Sequence, residues 1–196
     1  MSRLAELLSE RPEVVAPRLL GALLTRGGVT VRLTEVEAYA GDSDPGSHAF
    51  RGRTPRNAVM FGPAGRLYTY FTYGMHVCAN VVCGPEGQAS AVLLRAGEVV
   101  DGLDVAHGRR LGAPDRDLAR GPARLCRALG ITLDDNGADL AGEDLHLELP
   151  ASPATAYATG PRVGLRGAPE RPWRFWLQGD PTVSVYRPAK GLRRPG

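Results

Sequence analysis

Two carboxylates two residues apart, Glu35 and Glu37, lie near the end of the run Val29-Thr30-Val31-Arg32-Leu33-Thr34-Glu35-Val36-Glu37-Ala38-Tyr39. The pattern predicts a strand over 29–39. Side chains alternate between the two faces of a strand, so Val29, Val31 and Leu33 share one face, and a regular strand carries Glu35 and Glu37 on that same face. A carboxylate on a face that begins as core needs a partner, a raised pKa or a chemical task. An arginine partner or hydrogen bonds to a turn would satisfy it structurally. The chemical alternative is general-base work or stabilisation of developing positive charge. At ~3.3 Å rise per residue the two backbone positions are ~6.6 Å apart, a spacing compatible with the carboxylates of an inverting sugar glycosidase. Both would then approach a glycosidic bond from the same side, however, instead of flanking it.

Other residues suit nucleic acid. The segment Leu67-Tyr68-Thr69-Tyr70-Phe71-Thr72-Tyr73-Gly74-Met75-His76 places three tyrosines and a phenylalanine beside a turn. Phe71 fits a core position, whereas Tyr73, directly before Gly74, projects from a hairpin tip and suits a wedge between stacked bases. The loop from Gly46 to Asn57 carries Arg51, Arg53 and Arg56 within six residues. They form either a solvated charge cluster or contacts to a phosphate backbone. Gly121-Pro122, flanked by Arg120 and Arg124, marks a helix N-terminus that could hold a second phosphate. These features without a working carboxylate would make a non-catalytic protein that binds DNA by shape.

Several chemistries lack their residues. His76, Cys78 and Cys83 have no fourth ligand at convincing spacing, so no metal site is expected. There is no His-x-Glu with Pro-Cys-x-x-Cys, which disfavours a zinc deaminase. Neither a Walker loop nor a Gly-x-Gly-x-x-Gly after a strand is present, so no nucleotide cofactor is expected. Of 24 basic residues only Lys190 is lysine. A bias of that kind accompanies abundant Arg, Ala, Gly and Pro in a GC-rich genome, but its chemical consequence holds regardless of cause. Arginine forks onto phosphate, while a Schiff base could form only on Lys190 or the terminal amine.

The elements that must position these groups follow from local pattern. With 196 residues, 43% of them hydrophobic, the chain can bury one sizeable core, and a single domain over 1–196 is expected. Residues 1–12 and 188–196 are expected to be peripheral or flexible. The absence of an apolar run of ~18 residues excludes a membrane-spanning helix. The first ten residues lack a signal-peptide core and the three cysteines are sparse and odd in number, which points to the cytoplasm, in use at the bacterial nucleoid. Residues 3–10 predict a short helix. Leu19, Leu20, Leu23 and Leu24, after Pro17 and before Gly27-Gly28, predict a second. Residues 41–65 predict a long ordered loop of the kind that carries function. Arg66–Thr72, His76–Cys83 and Gln88–Arg95 predict a three-stranded meander. Residues 98–120 read as irregular or weakly helical. A helix is predicted from Gly121-Pro122 through Leu129 to Gly130, followed by weaker strands at 144–149, 162–166, 174–178 and 182–186. The order implies an α+β domain with a curved antiparallel sheet, flanking helices and a protruding hairpin.

Taken together, these segments resemble the alkyladenine (3-methyladenine) DNA glycosylase family. The resemblance rests on Thr34 through Tyr39, Ser47-His48, Thr54-Pro55-Arg56-Asn57, Met60-Phe61, and Gly65 through Asn80 with Tyr73-Gly74-Met75. It continues through Leu93-Leu94-Arg95-Ala96, Gly121 through Cys126, Arg162-Val163-Gly164 and Arg174-Phe175, and covers most of the chain from about Pro17 to Tyr186. Each motif is short and common. Their order, and the dense match between 34 and 96, are specific.

The resemblance implies a monofunctional hydrolase of base excision repair, without lyase activity or cofactor, acting as a monomer on damaged purines in double-stranded DNA. Tyr73 would intercalate, and Tyr39, His48 and Tyr70 would enclose the extruded base. Asn80 would crowd the exocyclic amino group of guanine. Glu37 would activate a water for attack on C1′, with Arg95 holding the water or the carboxylate. Arg51, Arg53, Arg56, Gly121 and Arg124 would contact the DNA backbone. Glu35 is expected to be structural.

Overall fold

A computed structural model describes residues 2–72 and 74–189. Two short helices, α1 (Arg3–Leu8) and α2 (Pro12–Arg18), precede a hairpin of β1 (Leu23–Arg26) and β2 (Val29–Tyr39). The loop over 41–65 contains two 3-10 turns, Gly41–Ser43 and Ala58–Phe61. It leads to β3 (Leu67–Thr72), β4 (His76–Val82) and β5 (Ala91–Asp101). Then come α3 (Leu103–Arg109), α4 (Pro122–Leu129), β6 (Leu145–Glu148), β7 (Tyr157–Gly160) and β8 (Arg174–Leu177).

The strands form one antiparallel sheet ordered β3-β4-β5-β2-β1-β6, with β8 on β2 and β7 outside β8. Strand β2 is the organising element. One edge pairs with β5 along nearly its whole length, while the other pairs first with β1 over Val29–Arg32 and then with β8 over Glu35–Glu37. Helix α4 packs against β2, β4 and β5. Its Leu125, Cys126, Ala128 and Leu129 join the main core with Leu19, Leu20, Leu24, Leu67 and Leu94. It starts at Pro122, where a missing N–H costs nothing, and stops at Gly130, whose φ of 70° ends the helix as the sequence predicts. Helix α1 is docked, with Leu7 and Leu8 in the core and the Leu8 carbonyl accepting from Gly84 N–H. The α+β class, curved sheet and three-strand meander agree with the sequence pattern, and no helix among the described residues is long and apolar enough to cross a membrane.

Three expectations are corrected. The helix expected over Leu19–Leu24 lies earlier, at Pro12–Arg18, and Leu23 and Leu24 belong to β1. Gly27 and Gly28, at φ 58° and 77°, make the tight two-residue turn of the β1–β2 hairpin instead of a helix stop. No strand forms at 162–166 or 182–186: there the amides of Val163 and Ser184 donate to Glu37 and Glu35 instead of to a ladder. Strand β7 forms where none was expected.

The third correction bears directly on the chemistry. Strand β2 is not regular: its register against β5 runs Leu33–Gly97, Glu35–Ala96, Val36–Leu94. Thr34 is therefore an extra residue on β2 and Arg95 an extra residue on β5. The bulge reverses the facing of the residues beyond it. Val29, Val31 and Leu33 lie in the main core, but so do Val36 and Ala38. Glu35 and Glu37 consequently leave the apolar face and share the opposite one with Arg95 and Arg174.

The loop over 41–65 is held by its own side chains. Asp44 accepts from the amides of Ala40 and Gly46, and Asn57 accepts from Thr54 N–H while donating to the carbonyls of His48 and Gly52. Gly41 takes φ 55°, and a Cβ there would run into the Ala89 carbonyl oxygen. Gly41→Ala is therefore expected to cost about 1–3 kcal/mol; an unchanged urea midpoint would show that the loop has room to shift.

Candidate active site

Register places the candidate residues in one row across the sheet. Arg174 lies beside Glu37, Glu37 beside Leu93, Leu93 beside Asn80, and Asn80 beside Tyr68. All five side chains lie on the face opposite the main core. Tyr70, two residues beyond Tyr68, continues the aromatic end of that face.

The Glu37 side chain is fully buried and held from two sides. Its Oε2 accepts from the Tyr39 hydroxyl at 2.8 Å and its Oε1 from Val163 N–H at 2.7 Å. Arg95 Nε stands 3.5 Å from Oε1 and 3.0 Å from Oε1 of Glu35. Burial works against charge on Arg95, but Glu37 and then Glu35 outweigh it and hold the guanidinium firmly protonated. Burial, followed by the neighbouring Glu37 carboxylate, pushes the Tyr39 hydroxyl well above its ordinary range, so it remains a donor.

Glu35 is also fully buried. Burial alone would raise its pKa, but Arg95, Arg174 and the Ser184 amide outweigh it and keep the carboxyl below its ordinary value. Two guanidiniums and an amide take three of its acceptor sites and hold it as an ion, which tells against Glu35 as the acid of a paired-carboxylate sugar glycosidase.

The aromatic groups expected to enclose a base are brought together in part. His48 is exposed at the rim, its ring meeting Tyr70 edge-on at 4.5 Å between centroids. Its Nδ1 lies 3.1 Å from the Tyr68 hydroxyl. Packing of the ring, with the Arg56 guanidinium nearby, lowers the His48 pKa and favours neutral imidazole. The partly buried Tyr70 has its hydroxyl pushed up by burial and by Cys78. On the other side Tyr39 is backed by the Arg162 guanidinium, 4.6 Å from its ring centroid. Asn80 is buried, and its amide donates to the Tyr68 carbonyl at 3.0 Å.

The expected backbone contacts differ in how free they are. Arg51, Arg53 and Arg56 are all exposed. Arg53 lies over the Phe61 ring, and Arg56 donates to the Phe71 carbonyl at 2.9 Å, bracing the β3–β4 hairpin. Gly121 N–H is committed to the Ala119 carbonyl. The first-turn amides left at that helix end are those of Ala123 and Arg124, since Pro122 has none. Tyr73, the expected wedge, lies outside the described residues. Its neighbours Gly74, Met75 and His76 are exposed, as a hairpin end requires, and Phe71 is exposed as well instead of filling the core position its strand pattern implies, because it lies one residue from the end of β3.

Sequence reasoning missed Asp44, the Val163 amide, Ser184 and Tyr68 as parts of the site, and gave Arg162 and Arg174 no role. The one signal that could have found the arginines is electrostatic: two carboxylates on a short buried segment demand cations, and Arg95 alone cannot supply both. A separate concavity of about 690 Å³, lined by Phe61, Ala89, Arg171 and Trp173 among others, contains none of Glu37, Tyr39, His48 or Tyr70.

The constellation is thus a buried carboxylate beside a fixed guanidinium, with aromatic groups at the rim. Comparison with known proteins decides its class. Residues 6–181 match the methylpurine-DNA glycosylase family. The chain belongs to that family. Relatives named "Putative 3-methyladenine DNA glycosylase" agree over nearly the whole length. The one from Leifsonia xyli subsp. xyli is 61% identical, with 88% of this chain and 87% of the relative covered. Those from Nocardia farcinica and Mycobacterium leprae are 58% and 52% identical, covering 94% and 98% of this chain and 91% and 92% of the relatives. Membership makes the chain a DNA glycosylase for alkylated purines, a hydrolase of N-glycosyl bonds in DNA repair.

Proposed function

We propose that the protein turns a damaged purine nucleotide out of double-stranded DNA and hydrolyses its N-glycosidic bond with a water activated by Glu37, as a monomeric, monofunctional enzyme. The observation that carries this reading is the Glu37 carboxylate, buried among donors with Arg95 Nε at 3.5 Å and no competing acid beside it in a free state. In this reading the carboxylate takes a proton from water as the base departs, and its charge offsets the positive charge growing on the sugar. Arg95 places a positive charge beside the carboxylate and orients it. Tyr39, backed by Arg162, offers a face for stacking, with His48 and Tyr70 at the rim. Asn80, fixed by its bond to the Tyr68 carbonyl, would discriminate at the edge of the base. Tyr73 would fill the gap in the duplex, offsetting part of the few kcal/mol that extrusion costs. Arg51, Arg53, Arg56, Arg124 and the turn at Gly121 would follow the phosphates.

The test is release of free base from duplexes carrying 3-methyladenine, 7-methylguanine, hypoxanthine or ethenoadenine, with borohydride added in a parallel set. Release of at least one free base with no trapped protein–DNA adduct is the expected result, because the chain has a single lysine for a Schiff base. A strong trapped adduct would overturn the hydrolytic assignment. Tight binding of lesion duplexes without release of any base would instead support the DNA-shape-binding alternative.

A further inference from the structure

Glu35 takes no part in the reaction as proposed, yet it is built into the site more tightly than Glu37. Its Oε1 accepts from Arg95 Nε at 3.0 Å and from Arg174 Nε at 2.6 Å, and its Oε2 accepts from Ser184 N–H at 2.7 Å. Arg174 is itself anchored: it donates to the Ser184 carbonyl at 3.0 Å and lies over the rings of Trp176 and Tyr186. Two guanidiniums and two carboxylates form a buried group with no net charge.

The geometry assigns Glu35 a positioning role in base excision: it holds Arg95 beside Glu37 while preventing Arg95 from closing onto it. This inference rests on the reading of Glu37 as the base. Arg95 Nε carries one hydrogen. That hydrogen is directed at Glu35, so Glu37 at 3.5 Å feels the cation's field without accepting its hydrogen bond. Glu37 already accepts from Tyr39 and from Val163. A closer bond from Arg95 would take one of the roughly two acceptor sites still open to a water and draw electron density from the oxygen that must take its proton. The double irregularity in β2 and β5 is what sets this spacing, because the extra residues Thr34 and Arg95 bring Glu35 and the guanidinium onto the reacting face together. If the Glu35 carboxylate is withdrawn, the nearest acceptor for Arg95 Nε–H is Glu37 Oε1.

A merely structural carboxylate and a positioning one predict different kinetics. Glu35→Asp keeps the charge, and with it the partners of Arg95 and Arg174, but draws the carboxylate back by one methylene. Single-turnover release of 3-methyladenine from alkylated duplex is expected to fall about tenfold or more, because small misplacements at a reacting centre are costly. The Kd for a duplex containing a tetrahydrofuran abasic analogue should stay within about twofold, since that step does not use the Glu37 water. Glu35→Gln, where it folds, should be slower again, so that Asp restores part of the loss. Arg95→Lys should cost less in the Glu35→Asp background than in the wild type, by about threefold or more, because the two act through one contact. Release by Glu35→Asp at the wild-type rate would overturn the inference, and so would strict additivity with Arg95→Lys. If Glu37→Gln retains wild-type release, the reading of Glu37 has failed; if Glu37→Gln is inactive and the Glu35 variants are not impaired, only the positioning role has failed.

Discussion

Glu37→Gln is expected to lose about 10²–10⁴-fold in single-turnover base release, the usual cost of removing a general base, while remaining folded and able to bind an abasic-analogue duplex. The hydrogen bonds around the site explain why the fold should survive. Glu37 accepts from Tyr39, whose hydroxyl can rotate to accept, and from Val163 N–H, which cannot. A glutamine can therefore turn its carbonyl oxygen toward Val163 and Arg95 and one N–H toward the Tyr39 hydroxyl, so the Val163 amide keeps its acceptor and the pocket keeps its shape. What the amide cannot supply is a proton acceptor for water or a negative charge against the sugar as the base leaves. The effect should therefore fall on the rate and not on binding. A Gln variant that releases alkylated base within a few-fold of wild type would remove Glu37 from the mechanism and leave it as a ligand of Val163 and Tyr39.

How far the sequence discloses this site depends on the range of each signal. The α4 helix is legible because its cues are local: proline at the first position, an apolar face, and Gly130 where a left-handed residue must come next. The β3–β4–β5 meander is legible for the same reason, since alternation and a Tyr-Gly turn lie within a few residues. Leu19 to Leu24 mislead because four leucines can be buried by a helix or by a hairpin. The deciding feature was the pair Gly27-Gly28, which serves as a helix stop or as a two-residue turn. The row containing Glu37, Leu93 and Asn80 follows from strand pairing once register is known. The bulge at Thr34 has no marker in the sequence, yet it determines which face the two carboxylates take. The partners of those carboxylates are more remote still: Arg174 is 139 residues from Glu35, and the Val163 amide 126 residues from Glu37. No periodicity spans such a separation. The need for a cation could be stated from the sequence, but its identity could not.

The same long-range logic gives the second large effect, at the buried pair Asp44–Arg162. The Arg162 guanidinium donates to both Asp44 oxygens and to the Ala38 carbonyl, and it lies against the rings of Tyr39 and Trp173. The next residue along, Val163, supplies the amide that holds Glu37. The pair therefore ties the 41–65 loop to the segment that fixes the proposed base and supports Tyr39 from behind. Arg162→Met would fill similar space but leave Asp44 buried with only the amides of Ala40 and Gly46 as hydrogen-bond donors and Arg171, partly exposed and 3.8 Å away, as its remaining cation. Breaking a buried pair from one side costs about 3–5 kcal/mol, a large share of the ~5–15 kcal/mol by which a domain is stable. Base release should fall as well, because Val163 and Tyr39 lose their support. The double variant Asp44→Asn/Arg162→Met should recover part of the stability, since no uncompensated charge remains. The pH dependence fixes the sign. Burial works to raise the Asp44 pKa, but Arg162 and the two amides outweigh it and hold it below the ordinary value. Its stabilising contribution is therefore complete above the unfolded pKa of about 3.9 and is lost as pH falls through the lower folded value. In Arg162→Met burial is opposed only by the two amides and the more distant Arg171, so protonation costs the variant less than it costs the wild type. The difference in unfolding free energy between the two, measured by urea titration, should be largest near neutrality and narrow toward about pH 4. A difference below ~1 kcal/mol, or one that does not change with pH, would mean that Asp44 and Arg162 are not the clasp that holds the site together.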